Sequence, residues 1–294
     1  MFSYLSQFVF CCFNNINAQN VGIGTLTPKA KLHVNDSSVL FTGGAWFLPG
    51  TPGNTPVQGS GSRMMWYADK AALRAGAVSG NAWDKDNIGK YSFAAGIDVM
   101  AQGDYSVALG VNNKSTDWYG FTAGAENTAA GAGGIAMGYN NFAKNTGSVA
   151  IGYNLIARSV YGVVLGNDND TSDLQRGIGS GDLNDRLFQI GNGSAVIRTN
   201  AVTILKNGNT GIGTLLPRAR LHVDSSVVFS GQALAGNATF PAPAIEGKGT
   251  RFLWYPQKGA ARFGTIDDGP LTGNSAGSFA TNQWNRDNIG RFSF

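Results

Sequence analysis

Beyond residue 12 the chain of 294 residues contains no cysteine, and its two histidines stand far apart, at positions 33 and 222. A chain without thiols has no disulfide framework, and two separated histidines supply no zinc set. Charge is scarce as well: 14% of residues are Asp, Glu, Lys or Arg, the net is +4, and the basic residues form no stripe or cluster. That balance gives no footing for nucleic acid as a partner. No later stretch approaches 18 continuous apolar residues, so no membrane-spanning helix is expected. The two cysteines, Cys11 and Cys12, lie in the short apolar run Phe8-Val-Phe-Cys-Cys-Phe13, which is followed by polar Asn14 and Asn15 and by small Ala18. That order is expected of an export signal over residues 1–19, although no Lys or Arg precedes the run.

Glycine is abundant instead, with 42 residues and no collagen triplet, which points to tight turns and close backbone approaches in an all-β chain. Many of these glycines belong to one phrase that returns six times at an interval of 14. It reads Tyr91-Ser-Phe-Ala-Ala-Gly96, Tyr105-Ser-Val-Ala-Leu-Gly110, Tyr119-Gly-Phe-Thr-Ala-Gly124, Gly133-Gly-Ile-Ala-Met-Gly138, Gly147-Ser-Val-Ala-Ile-Gly152 and Tyr161-Gly-Val-Val-Leu-Gly166. Six copies without an insertion predict a β-solenoid in which each copy is one turn.

Side chains alternate faces along a strand, so positions 2, 4 and 6 of the phrase share one face and positions 3 and 5 the other. The first set is small in nearly every copy and is expected to line the interior, because so short a turn leaves little room inside. The second set is large: Phe93, Val107, Phe121, Ile135, Val149 and Val163 at position 3, with Leu109, Met137, Ile151 and Leu165 at position 5. Six turns at about 4.8 Å stand roughly 25–30 Å tall, and an apolar stripe of that height is more than a soluble monomer exposes. Burying each such side chain is worth roughly 1.5–3 kcal/mol. The roll is therefore expected to be an obligate homo-oligomer through these ten residues. On the opposite side Ala101, Ser115, Ala129, Ala143 and Ala157 form another small column, and Asn113, Asn127 and Asn141 a corner where amides can ladder.

A longer duplication encloses the roll. Asn20-Val-Gly-Ile-Gly-Thr…Leu-His-Val34 recurs at Asn209–Val223, Arg63-Met-Met-Trp-Tyr67 at Arg251–Tyr255, and Trp83…Ser-Phe93 at Trp284–Phe294. The offset is 189 at the start and 201 at the end, which places about 12 extra residues in Pro- and Gly-rich loops of the second copy. The expected organisation is a signal over 1–19, a first β module over 20–88, the roll over 89–166, a connector with a β-hairpin over 167–208 and a second module over 209–294. The second copy ends at the equivalent of Phe93, where another roll is expected to begin, so the chain reads as a fragment. Short strands are expected at Lys31–Val34, at Met64–Tyr67 with Leu73–Val78 as a hairpin, at Arg186–Ile190 and at Ala195–Leu205, with a tight turn at Asn207-Gly208.

Ser148-Val-Ala-Ile-Gly152, with its relatives at the same strict interval, resembles the head repeat of YadA-type trimeric autotransporter adhesins. The resemblance covers residues 89–166 and implies a left-handed parallel β-roll in a homotrimer, with the Val and Ile positions meeting at the three-fold axis. It also implies a secreted, cell-surface or outer-membrane-associated protein that mediates adhesion to a host or environmental ligand, protein or glycan. The flanking Gly-Ile-Gly-Thr and Leu-His-Val segments resemble modules of fibre-like surface proteins of Bacteroidetes-type bacteria. The Asn that commonly precedes the Ser in that family is replaced here by Tyr91, Tyr105, Tyr119, Gly133, Gly147 and Tyr161, so collagen binding is not carried over. Neither a heptad stalk nor a membrane β-barrel is seen, and no membrane insertion of this fragment is expected.

Chemistry is nearly present at three places. Gly273-Asn-Ser-Ala-Gly277 matches the nucleophile-elbow spacing, but His33 and His222 occupy equivalent places in the duplicated strands, so neither is a unique catalytic base. Asp168, Asp170 and Asp173 lie in one loop without the Gly and Glu of an EF-hand, and a solvated loop is the expected reading. Trp66, Tyr67, Trp254 and Tyr255 are candidate glycan contacts, weighed against a plain role in packing. The reading is a non-enzymatic surface adhesin or structural fibre without cofactor or metal, acting by multivalent binding. The alternative is a phage-tail-fibre or spike-like receptor-binding protein.

Overall fold

The computed structural model describes residues 20–36, 38–43, 52–173, 182–232, 243, 245 and 249–266. The expected signal, the Trp284–Phe294 copy and the Gly273–Gly277 motif lie outside the described residues. The chain divides into two units, Met1–His222 and Val223–Phe294. Among the described residues all regular structure is strand apart from three single 3₁₀ turns, and no helix is long and apolar enough to cross a membrane.

In the first unit each copy of the phrase opens a wide strand, and a narrow strand follows it before the next copy begins. The wide strands are Phe93–Ile97, Val107–Val111, Phe121–Ala125, Ile135–Tyr139, Val149–Tyr153 and Val163–Asn167. They pair in parallel, each residue beside its equivalent one turn on. The narrow strands run from Met100–Ala101 to Ile156–Ala157 and stack the same way in a separate five-stranded sheet. Positions 2 and 4 of the phrase face inward as expected: Ser106, Ala108, Ala136, Ser148 and Ala150 are fully buried, as are Ala101, Ser115, Ala129, Ala143 and Ala157 opposite them. Two strands this close leave no lumen for larger side chains, which is why alanine and serine recur.

Position 6 departs from expectation. Its glycines do not fill the interior; they stand within the wide strands, one residue before the end, with φ between +95° and +147°. A Cβ on Gly96 would stand 1.9 Å from the carbonyl oxygen of Gly110, and one on Gly124 2.1 Å from that of Gly138. Glycine is required there by backbone touching backbone, as well as by the left-handed φ. The corner that follows each wide strand holds the asparagine ladder. Asn127 Nδ2 donates to Asn113 Oδ1 at 3.0 Å, to Ala123 O at 3.0 Å and to Gly138 O at 2.8 Å. Asn141 repeats the pattern one turn on, toward Asn127 Oδ1, Met137 O and Gly152 O. These buried amides are satisfied by backbone carbonyls and by one another from turn to turn.

The parallel stack runs past the expected boundaries of the roll at both ends. A hairpin of Gly61–Tyr67 and Ala72–Val78, joined by the 3₁₀ turn Ala68–Lys70, lays its second strand against the first turn, with Leu73 beside Phe93 and Gly76 beside Gly96. At the other end Arg186–Asn192 is a further parallel strand, with Phe188 beside Val163, reached by a longer step in sequence than any within the roll. It then pairs antiparallel with Asn200–Leu205, which pairs with Thr210–Ile212. The inner column is thus capped by polar side chains. Arg74, beside Ala94, is fully buried and donates to Ser92 Oγ at 2.8 Å, Ser92 O at 3.1 Å and Ala101 O at 2.9 Å. Gln189, beside Val164, accepts from Asn200 at 2.9 Å.

The expected Asn207-Gly208 turn is present, with Gly208 at φ +85°. Val21–Ile23 and Leu32–Val34 pair in parallel, and Thr210–Ile212 and Leu221–Val223 are neighbours in the large sheet. In the second unit Gly249–Tyr255 and Ala260–Ile266 form a hairpin closed by the 3₁₀ turn Pro256–Lys258, residue for residue in the register of the first hairpin.

Candidate functional site

The wide strands present their odd positions outward, and this outer face is the candidate site. All ten residues expected to form the oligomer interface lie on it. Phe93 and Ile151 are 37% and 39% exposed, and Val107, Leu109, Phe121, Ile135, Met137, Val149, Val163 and Leu165 are half-buried against their neighbours in the same column. No polar side chain interrupts the two columns. Parallel pairing sets each residue of a column beside its equivalent one turn on, and the asparagine ladder ties the turns together.

The face is larger than the ten residues. Position 7, the last residue of each wide strand, adds exposed Ile97, Val111, Tyr139 and Tyr153. Toward the hairpin, Leu73 extends the Phe93 column, with Trp66 paired beside Leu73 and Met64 beside Ala75. Toward the connector, Phe188 and Ile190 continue the columns of Val163 and Leu165, followed by Ile204 and Val202. The alternation of Arg186-Leu-Phe-Gln-Ile-Gly191 was the available signal, since its last four residues repeat positions 3 to 6 of the phrase. The longer step from Val163 to Phe188 hid it from a search at the interval of the roll.

A second surface lies at the corner before each wide strand. Tyr91, Tyr105, Tyr119 and Tyr161 all stand there with φ between +56° and +59°. Tyr91 and Tyr105 stack at 5.0 Å between ring centroids, and Tyr105 and Tyr119 at 5.3 Å. On the opposite margin Tyr139 and Tyr153 stack at 5.6 Å. The Glu126 carboxylate beside Tyr139 pushes its phenol above the ordinary value, by charge and by a hydrogen bond.

The four candidate glycan contacts separate. Tyr67 and Tyr255 are each only 2% exposed, and the Tyr67 hydroxyl donates to Gly53 O, so neither ring has a face free for a sugar. Their hairpins bury them as core, which corrects the expectation for these two. Trp66 is exposed on the outer face, and Trp254 is half-buried. The two histidines do the same work in the two copies: Nδ1 of His33 accepts from Lys29 N at 3.3 Å, and Nδ1 of His222 from Arg218 N at 3.4 Å.

The aspartate loop does not gather around a cation position. Asp170 pairs with Arg186 at 2.7 Å, Asp173 stands 3.7 Å from the same guanidinium, and Asp168 accepts from Asn154. Burial acts to raise Asp170, but hydrogen bonds from Ser172 and Arg186 outweigh it and hold the carboxyl below its usual range. Burial pushes Asp173 up, against the pull of Arg186 and Arg158. Asp168 is buried, so the loop is not merely solvated; it is a charged seam that closes the roll. Among the described residues no group of three His, Cys, Asp or Glu is placed to hold a metal ion.

A parallel solenoid with a small-residue interior, a glycine column, an asparagine corner and an apolar outer face defines a class of β-roll head. Residues 88–113, 101–117 and 129–154 match the YadA head domain repeat, and the roll is a YadA-like head. No curated protein and no solved structure gives a significant match to the chain.

Proposed function

We propose that this protein is an exported surface adhesin or structural fibre that works as a homotrimer and binds its ligand by multivalency, without catalysis. The observation that carries the reading is the outer face. Its two apolar columns run unbroken from Leu73 to Ile190, larger than the apolar patches soluble monomers leave exposed. Three copies meeting through these columns leave the narrow strands to solvent, and each repeated surface site is then presented three times. Linked weak sites gain roughly 10²–10⁴ in avidity without any new contact. The match to the YadA head domain repeat supports the same reading, since that family is one of trimeric surface adhesins. Export rests on the apolar run at residues 8–13.

The test has two parts. Light scattering of the full chain should return three times the chain mass of 30.8 kDa, and a stable monomer would sink the assembly. Beads coated with the protein should then be retained on a panel of immobilised glycans and extracellular-matrix proteins. Retention by none of them would leave a structural fibre and remove adhesion.

A further inference from the structure

Six of the nine tyrosines lie in the roll, one in every turn. They do not keep to one column. In turns one, two, three and six the tyrosine stands at position 1, as Tyr91, Tyr105, Tyr119 and Tyr161. In turns four and five position 1 is Gly133 and Gly147, and the tyrosine stands at position 7, as Tyr139 and Tyr153. Position 7 in the other turns is Ile97, Val111, Ala125 and Asn167. No turn has two rings and none lacks one.

Packing within one chain accounts for the glycine at 147 but not for the one at 133. Positions 1 and 7 flank and end the wide strand, whose four steps from position 3 to position 7 span about 13 Å, and the tyrosine rings that stack do so within one margin. Each margin by itself is a broken column. The first is open where the second is filled: a side chain on Gly133 would meet nothing within 4 Å, whereas Tyr139 on the opposite margin is exposed. In turn five the place is already taken within the chain: Tyr161 leans over Gly147, its Cδ1 only 2.3 Å from where a Cβ of Gly147 would stand, so the open place on the first margin is the one at Gly133.

We infer that neighbouring copies of this chain interlock margin to margin, turns level, with position 1 of one copy against position 7 of the next. The partner's Tyr139 then fills the place at Gly133, between Tyr119 and the Tyr161 ring that already covers Gly147. The dimensions agree. Tyr119 and Gly147, which the Tyr161 ring covers, are two turns apart, about 10 Å, and one interposed ring divides that span into two intervals close to the 5.0–5.6 Å stacking seen within each margin. A copy shifted by one turn would set the partner's Tyr139 against Tyr119 or against the Tyr161 ring at Gly147, so the tyrosines set the axial register that the smooth apolar columns leave open. Position 1 meeting position 7 is a head-to-tail contact, which closes on itself only in a ring. The inference rests on the proposed assembly and adds its register.

The test is a double-substitution cycle on the full chain: Gly133→Tyr, Tyr139→Gly and the two together, with the dissociation constant of the oligomer as readout. Gly133→Tyr places two rings in turn four and Tyr139→Gly none; each should weaken assembly at least tenfold. The double variant moves the ring from one margin to the other and should return to within about threefold of the parent. Sites this far apart in one chain are otherwise additive, so additive effects overturn the interlock. Crosslinking gives a second readout that does not depend on a Tyr-for-Gly variant. In a Cys11→Ser, Cys12→Ser background, a short thiol-to-thiol reagent should join Gly133→Cys with Tyr139→Cys into a trimer band at least tenfold more than Gly133→Cys with Tyr153→Cys. Equal yields overturn the level register. A parent chain that is monomeric by mass overturns the assembly itself, whereas a trimer with an additive cycle overturns only the interlock.

Discussion

Gly124 and Gly133 show how differently two glycines of the same roll are constrained. Gly124, at φ +108°, has the carbonyl oxygen of Gly138 2.1 Å from a would-be Cβ, whereas Gly133, at φ +67°, has open space and a backbone that tyrosine adopts at the equivalent Tyr119. Gly124→Ala should cost more than about 2 kcal/mol through overlap and strain, and Gly133→Ala about 1 kcal/mol or less; paired denaturant titrations of the two variants check the contrast. At the same scale, the Asp170–Arg186 pair couples the connector to pH. The Asp170 carboxyl is held below its unfolded range, so its stabilising contribution is present above that range and is lost as pH falls through the folded value. Asp173, raised by burial, acts in the opposite sense, since protonation relieves its cost. Asp170→Asn should therefore lower the melting temperature at neutral pH and flatten its fall on acidification below about pH 4. A fall as steep as the parent's would show that the pair does not carry the dependence.

At the scale of the element, the unit is one turn of the roll, because every ladder joins a residue to its equivalent in the next turn. Removing residues 121–134 joins Gly120 to Ile135 within an intact phrase and keeps the wide strands, the narrow strands and the asparagine corner in register. Removing 121–133 slips all of them by one and turns the inner face outward. The first deletion should fold with a β-type circular dichroism spectrum and a cooperative melt, and the second should not. Much of this element was legible beforehand: the interval, the small inner column and the Asn113, Asn127 and Asn141 ladder follow from spacing and side-chain size. The position 6 glycines were not, because their need arises from a carbonyl one full turn away in sequence, in contact only after stacking. The strand at Arg186–Asn192 was legible as a strand but not as another turn, since the intervening loop broke the interval.

For the whole molecule the outer face decides behaviour. Val149 and Ile151 stand in its two columns, and charge on them would have to be desolvated on assembly at a cost of several kcal/mol. Val149→Asp with Ile151→Asp should shift the mass from trimer to monomer, whereas Lys114→Asp, exposed on a narrow strand away from that face, should leave the mass unchanged. Dissociation by both variants alike would mean that the assembly does not use the apolar columns. The glycan expectation for Tyr67 and Tyr255 failed at this scale, because an aromatic phrase repeated in two copies reads the same whether its rings face solvent or a hairpin core.

By itself the sequence determined the solenoid. Alternation and a strict interval are local properties, and a chain that obeys both has one way to hide its small residues and show its large ones. Tertiary structure decided what lies where the turns meet other chain. It showed that Arg74 and Gln189 cap the interior, that Gly76 and Phe188 carry the stack into both flanking modules, and that Gly133 opens where Tyr139 protrudes. Those facts depend on distances between residues remote in sequence, and no periodicity encodes them until the turns are stacked.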